Sequence, residues 1–219
     1  MSDVQHNARV AVAHPLMPED QARADFYALL ARLFAAAPDR GLLVAIAEAP
    51  SMGVATLLDE AGEPGARLHD AWERLRSASS VMDADAAAQE YVDLFVGVGK
   101  SEVNLHASHW ITGFMMDKPL VEVRATLAGL GLARRDGVTM VEDHLSALFE
   151  TMRALVAGID DRPPSGMEDQ QTFLMKHIVP WAERCCAAIS INPVANYYRR
   201  VAEFTECFMA LERDSFAMV

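Results

Sequence analysis

The 219-residue sequence contains few aromatic residues and no run that alternates with the spacing of a strand. Aromatic residues make up 7% of the chain, and alanine-rich tracts such as Ala84–Ala88 occur in place of β-branched runs. Alanine favours helices, whereas strands are enriched in β-branched and aromatic residues. A half-buried strand would also require apolar residues at every second position. We therefore expect an all-α protein.

Positive charge is scarce as well. The chain has 19 Lys and Arg residues against 31 Asp and Glu residues, which gives a formal net charge of −12. Such a chain would repel a phosphate backbone, so nucleic-acid binding is disfavoured. The acidity favours a cationic partner, although plain solubility is the more general explanation of an acidic surface.

The three cysteines do not form a disulfide framework. Cys185 and Cys186 are adjacent, where a disulfide would be strained, and Cys207 stands alone. This odd set suits a reducing compartment, in which the thiols serve as small apolar side chains.

The sequence also shows no candidate for a membrane-spanning segment or for a signal peptide. The apolar run Gly41–Ala47 is shorter than the ~20 apolar residues that span a bilayer. Residues 1–9 lack the basic and then apolar order of a signal peptide. We expect a soluble cytoplasmic protein without stable membrane insertion.

Helical spacing of apolar residues begins after residue 18, with Phe26, Leu30 and Leu33 on one face. Residues 97–118 have weak periodicity and are expected to form a loop with a short helix around Trp110–Met116. Pro119 is expected to lie in the first turn of the helix that follows. We divide the chain into a flexible arm (residues 1–18), a main helical domain (residues 19–157), a Pro-containing linker (residues 158–168) and a C-terminal helical part (residues 169–219).

Two sequence features suggest functions that compete with simple binding. Gly97–Ser101 resembles a phosphate-binding loop, but the first glycine of that motif is replaced by Leu94 and no strand is predicted before it. A nucleotide-binding helical enzyme is therefore one alternative, and a flexible turn is the favoured interpretation. His106, His109 and His144 with Asp143 could instead serve a metal-binding regulator, although zinc requires about four well-placed ligands.

The segment Glu142–His144 precedes a helical pattern. Asp143 could cap that helix by accepting hydrogen bonds from its first turn, or an acid beside a histidine could perform acid–base chemistry. No nucleophile accompanies the segment, so the cap is favoured. Aromatic and Met residues of the irregular middle could form a groove for an apolar peptide, although a helical core explains them more simply; they are Tyr91, Phe95, Trp110, Phe114, Met115 and Met116.

Five segments together resemble the TorD/DmsD/NarJ family of redox-enzyme maturation chaperones. They are Tyr91–Phe95 followed by Gly97–Gly99, Ser108–Trp110, Glu142–Leu145, Phe173–Trp181 and the pair Tyr197 and Tyr198. They occur in the expected order between Phe26 and Glu212. The sequence departs from the family pattern at Val98 and Val141, where the family has proline, and these departures affect loop geometry and the choice of client.

The resemblance implies a TorD-like helical bundle with a hinge or linker before the C-terminal helices, and a non-catalytic cytoplasmic chaperone without a cofactor of its own. Its partner would be the precursor of a molybdopterin-dependent oxidoreductase, bound through an N-terminal leader of the twin-arginine type during cofactor insertion. The family motifs transfer the peptide-binding role to Leu94, Phe95, Ser108, Trp110, Asp143 and His144. Asp143 would pair with a client arginine or fix the hinge, and His144 would form a hydrogen bond beside it. The chain would be a monomer or a homodimer, since a mobile linker permits domain swapping.

Overall fold

The computed structural model describes residues 16–51, 54–159 and 162–217. Within these residues the regular structure is helical, and extended pairing is limited to two isolated bridges, His106 with His144 and Ile159 with Arg162. The prediction of an all-α protein is confirmed. Most of the predicted N-terminal arm lies outside the described residues.

Ten α-helices follow one another along the described chain. They are α1 (Pro18–Ala35), α2 (Arg40–Glu48), α3 (Val54–Val81), α4 (Ala84–Tyr91), α5 (Ala107–Thr112), α6 (Lys118–Gly129), α7 (Leu145–Ala157), α8 (Met167–Phe173), α9 (Val179–Ile191) and α10 (Tyr197–Ala217). Two π-helical segments, Val92–Val96 and Leu174–Ile178, follow α4 and α8. No helix of the described residues combines the length and the apolarity needed to cross a membrane.

Local sequence signals account for several helix boundaries. The Asp39 carboxylate accepts the backbone N–H of Leu42 at 2.7 Å and so caps α2. Pro119 lies in the first turn of α6, as predicted. A backbone N–H at that position would have no acceptor within the helix, so a proline, which lacks it, is tolerated there. Gly62, with φ 58° and ψ −139°, interrupts α3. Gly113 ends α5 in the left-handed region at φ 83°, so the predicted short helix begins and ends earlier than Trp110–Met116.

The core forms where α1 packs against α7 and where α10 packs against α3 and α9. Tyr27 and Phe34 of α1 are fully buried, and their rings lie 6.0 and 6.1 Å from that of Phe149 in α7. Phe26 and Phe204 join the two sides with ring centroids 5.1 Å apart. Each such side chain contributes about 1.5–3 kcal/mol through burial of its apolar surface.

Two buried carboxylates connect α10 to the rest of the chain. Glu212 accepts hydrogen bonds from Arg23 at 2.7 and 2.9 Å and from the Tyr27 hydroxyl at 2.8 Å. Glu90 of α4 accepts three backbone N–H groups, at 2.8–3.0 Å, at the beginning of α10. The C-terminal helices are therefore joined to the preceding ones through polar as well as apolar contacts. The division into a main domain and a C-terminal part stays a prediction.

The segment between α7 and α8 is fastened to the end of α6. The Arg162 guanidinium donates to the carbonyl oxygens of Leu130 and Gly131 at 2.8 and 2.7 Å. These carbonyl groups lie at the C-terminus of a helix, where intrahelical donors are lacking and a cation is favourable.

The cysteines lie in α9 and α10 as free thiols. Cys185 and Cys186 are buried, and burial raises the pKa of the Cys185 thiol to about 12. Both thiols are therefore protonated near neutral pH and pack as small apolar groups, in agreement with the prediction.

Candidate peptide-binding site

Asp143 and Ser108 join two segments that are distant in the sequence. One carboxylate oxygen of Asp143 accepts the Ser108 backbone N–H at 3.0 Å and the Ser108 hydroxyl at 2.5 Å. Ser108 lies in the first turn of α5, whose backbone N–H groups lack intrahelical acceptors. Asp143 therefore caps α5 from a segment 35 residues further along the chain.

Backbone hydrogen bonds hold the two segments antiparallel. The N–H of Ala107 donates to the Asp143 carbonyl at 2.9 Å, and the N–H of Leu145 donates to the Leu105 carbonyl at 2.8 Å. His106 and His144 are thereby placed opposite each other, with ring centroids 4.8 Å apart. We call residues 105–108 and 143–145 the junction.

The N-cap of α7 differs from the prediction. The first turn of α7 is capped by His144, whose Nδ1 accepts the Ser146 backbone N–H at 3.2 Å, and not by Asp143. The prediction for Asp143 was wrong because a sequence pattern finds only a nearby helix, whereas this carboxylate points back to α5. Burial lowers the pKa of His144 to about 3, with a further contribution from His106, so the ring is neutral and can accept the hydrogen bond.

Asp143 is fully buried, and its second carboxylate oxygen has no hydrogen-bond partner among the described residues. Its charge raises the pKa of the neighbouring His106, but burial is the larger effect and lowers it overall. In this conformation the Asp143 side chain is closed off from a peptide at the surface. Its direct pairing with a client arginine stays a prediction, and the contacts support a positioning role.

Trp110 lies half-buried beside the junction. Its indole N–H donates to the Asn104 carbonyl at 2.6 Å, and the Arg184 guanidinium of α9 lies 6.0 Å from the ring centroid. Arg184 also donates to the Trp110 carbonyl at 3.0 Å. These contacts fix the orientation of the ring, part of which is exposed to solvent.

Leu94 and Phe95 lie in the π-helical segment, and the Leu94 carbonyl accepts the backbone N–H of Val103 at 2.9 Å. Leu94 is fully buried in the core. Phe95 packs against Tyr91 and Tyr198, with ring centroids 5.2 and 4.9 Å apart. The structure thus brings Ser108, Asp143 and His144 together with Trp110 nearby, but it does not bring Leu94 and Phe95 into that group. Leu94, Ser108, Asp143 and His144 are all buried, so their contact with a peptide stays a prediction.

An exposed apolar segment follows the junction directly. Phe114 and Met116 are 71% and 70% exposed, and Ile111 and Met115 are also exposed. We call residues 111–116 the apolar loop. Contiguous apolar side chains on a surface mark interaction sites more often than isolated ones do, and Met adapts to partners of varied shape. Phe114, Met115 and Met116 were candidates for a peptide groove in the sequence, but a place in the core was the favoured prediction and is wrong for these three.

A cavity of about 360 Å3 opens between the end of α6 and α7. Its apolar lining comes mainly from Leu127, Leu132, Val138, Met140, Ala147, Ala154 and Ile159. Glu142 also lines it and lies within hydrogen-bonding distance of Arg124, 2.9 Å away. Sequence reasoning missed this cavity because its walls combine the end of α6, the following segment and α7, and no local pattern shows how these neighbouring elements pack. The motif position of Glu142, next to Asp143, was the one signal that pointed towards it.

The described residues do not support the two alternative functions, a nucleotide-binding enzyme and a metal-binding regulator. Gly97–Ser101 follows a π-helical segment, whereas a phosphate-binding loop joins a strand to a helix. Among the described residues, no three His, Cys, Asp or Glu side chains are grouped so that they could hold a metal ion. The Nδ1 atom of His144 is already used by the cap of α7.

Fold and site together define an all-α protein with an exposed apolar loop and a partly exposed carboxylate, that of Glu142. Comparison with known proteins identifies its family. The profile described as nitrate reductase delta subunit matches residues 62–187, which is more than half of the chain. The chaperone protein TorD of Shewanella loihica is 26% identical over 209 residues, which cover 90% of this chain and 94% of the relative.

The chain therefore belongs to the TorD/DmsD/NarJ family of redox-enzyme maturation chaperones, and the resemblance found in its motifs is confirmed. Members of this family are chaperones and not enzymes, so the prediction of a non-catalytic protein is confirmed by the same comparisons.

Proposed function

We propose that the chain acts in the cytoplasm and binds the N-terminal leader of a molybdopterin-dependent oxidoreductase precursor until the cofactor of that client has been inserted. Family membership supports a client of this class. A leader of the twin-arginine type combines arginine residues with an apolar stretch, and the two surfaces beside the junction complement those two features. The chain is expected to work as a monomer or a homodimer.

The observation that carries the proposal is the placement of these surfaces by a single carboxylate. Asp143 caps α5 and thereby positions the helix that leads into the apolar loop. Glu142, the preceding residue, lines the cavity and offers a carboxylate that is 14% exposed. An extended peptide that placed apolar side chains on the apolar loop and arginines near Glu142 would use both surfaces.

The energetics are adequate for a peptide of this kind. Removing about 300 Å2 of apolar surface from water contributes about 7 kcal/mol at ~25 cal/mol per Å2. Ordering the peptide and losing its free motion cost several kcal/mol in turn. The net charge of −12 also attracts a cationic leader over a distance, which increases the rate of encounter more than the final affinity.

Calorimetric titration with synthetic leader peptides from molybdoenzyme precursors tests the use of the apolar loop. Phe114→Ser should weaken binding of the matching leader by about tenfold, because truncating an apolar anchor at an interface costs more than 1 kcal/mol. Val81→Ser is the matched control, since Val81 is 84% exposed and lies at the end of α3. Equal affinities for the Phe114→Ser variant and the wild type would remove the apolar loop from the proposal.

A further inference from the structure

Glu142 already holds two arginine side chains of its own chain. The Nε and Nη2 atoms of Arg124 lie 2.9 Å from one of its carboxylate oxygens. The Nε atom of Arg134 lies 3.8 Å from the other oxygen. Each oxygen of this single carboxylate therefore faces a different guanidinium group.

The two arginines come from different segments, and Arg134 also lines the cavity. Arg124 belongs to α6, whereas Arg134 lies in the segment between α6 and α7 and also donates to the Met140 carbonyl at 3.3 Å. Arg134, Met140 and Glu142 all line the cavity. The apolar walls of the cavity thus lie directly beside a carboxylate that is occupied by arginine.

We infer that Arg124 and Arg134 occupy the positions on Glu142 that the two arginines of the client leader would take, and that they must be displaced when the leader binds. This inference rests on the proposed function and describes how binding of the leader would be regulated. The arrangement is compatible with that exchange, since one carboxylate at the edge of an apolar cavity accepts a hydrogen bond from Arg124 and lies in ion-pair range of Arg134. A leader that supplies two arginines and an adjoining apolar residue offers the same contacts and fills the cavity in addition.

Displacement of these two arginines is energetically accessible. The side chains of Arg124 and Arg134 are 50% and 38% exposed, so their ion pairs are screened by solvent. Ion pairs in which the arginine is exposed are exchanged more easily than a pair in which both groups are fully buried, although Glu142 itself is only 14% exposed. The internal arginines therefore lower the affinity for a peptide that lacks the two arginines or the apolar residue, whereas a complete leader can still displace them.

The test measures the affinity of a fluorescently labelled leader peptide by anisotropy. Arg124→Gln and Arg134→Gln should each tighten binding by about twofold to fivefold, the range expected for the loss of one competing exposed ion pair. The double variant should gain more than either single variant. The gain should vanish with a leader in which both arginines are alanine, and Glu142→Gln should weaken binding of the intact leader.

Arg200→Gln is the control for a general effect of charge. Arg200 pairs with Glu203 at 2.8 Å, is 39% exposed and lies in α10, so its removal changes the net charge equally. Tighter binding in this control as well would overturn the inference, as would unchanged or weaker binding in the double variant. If the wild type binds the leader but the variants show no gain, the inference alone fails. If neither the wild type nor the double variant binds any leader, the proposed function fails with it.

Discussion

The Asp143 carboxylate and the Ser108 hydroxyl are 2.5 Å apart, although 35 residues separate them in the sequence. This contact gives the acidic Asp-His segment a definite structural role in this chain. It caps α5, the helix that leads into the apolar loop. The proposed use of that loop depends on this cap.

Replacement of Asp143 by alanine should destabilise the protein by about 1–3 kcal/mol. The substitution removes the acceptor of the Ser108 backbone N–H and hydroxyl, and buried donors that lose their partner cost free energy of this order. Urea unfolding measures the change. Asp143→Asn is the matched control, because its side-chain oxygen can still accept from Ser108, and it should cost less than the alanine variant. Equal losses for the two variants would show that the charge matters and the cap does not.

The free energy of unfolding should decrease below about pH 6.5 because of buried histidines. Burial lowers the pKa of His144 to about 3 and that of His177 to about 4, whereas both titrate near 6.5 in the unfolded chain. The unfolded state therefore binds protons that the folded state does not accept. Stability is complete above pH 6.5 and is lost as the pH falls towards 4 and 3.

The variant His144→Asn isolates the contribution of His144, because asparagine retains an N-cap acceptor but does not titrate. Between about pH 6.5 and about pH 5, the wild type should lose about 2 kcal/mol more than this variant. Urea unfolding at both pH values measures the difference. The same decrease in both proteins would mean that His144 is protonated in the folded state.

The buried ion pair of Arg23 and Glu212 should be far more important for stability than an exposed pair. Their side chains are 18% and 4% exposed, and breaking a buried pair leaves an uncompensated charge. Arg23→Ala should therefore cost about 3–5 kcal/mol, whereas Arg200→Ala at the exposed pair with Glu203 should cost less than about 1 kcal/mol. Thermal and urea unfolding compare the two. A small loss for Arg23→Ala would mean that water enters and solvates Glu212.

The sequence predicted those parts of the fold that depend on local patterns. The helical spacing of Phe26, Leu30 and Leu33 appears as α1, and Pro119 lies in the first turn of α6. Apolar periodicity and proline geometry act within a few residues, so they can be read from the chain directly.

Contacts between distant segments could not be predicted in this way. The carboxylate of Asp143 accepts from Ser108 of α5 and does not cap α7, the helix that follows it in the sequence. This partner depends on how the folded backbone brings the two segments together. The family motif also predicted Leu94 as a site residue, but Leu94 lies in the π-helical segment with its side chain buried in the core. The apolar residues Phe114 and Met116 lie at the surface, because Gly113 ends α5 before them.

Recognition of an arginine-containing leader can be measured by calorimetric titration of the wild-type protein with one intact leader peptide and with the same peptide in which both arginines are alanine. We expect saturable binding of the intact leader and binding at least about tenfold weaker for the alanine peptide, since each lost ion pair with Glu142 lowers the affinity. Equal affinities for both peptides, or no binding of any molybdoenzyme leader, would show that the chain does not recognise the leader through its arginines.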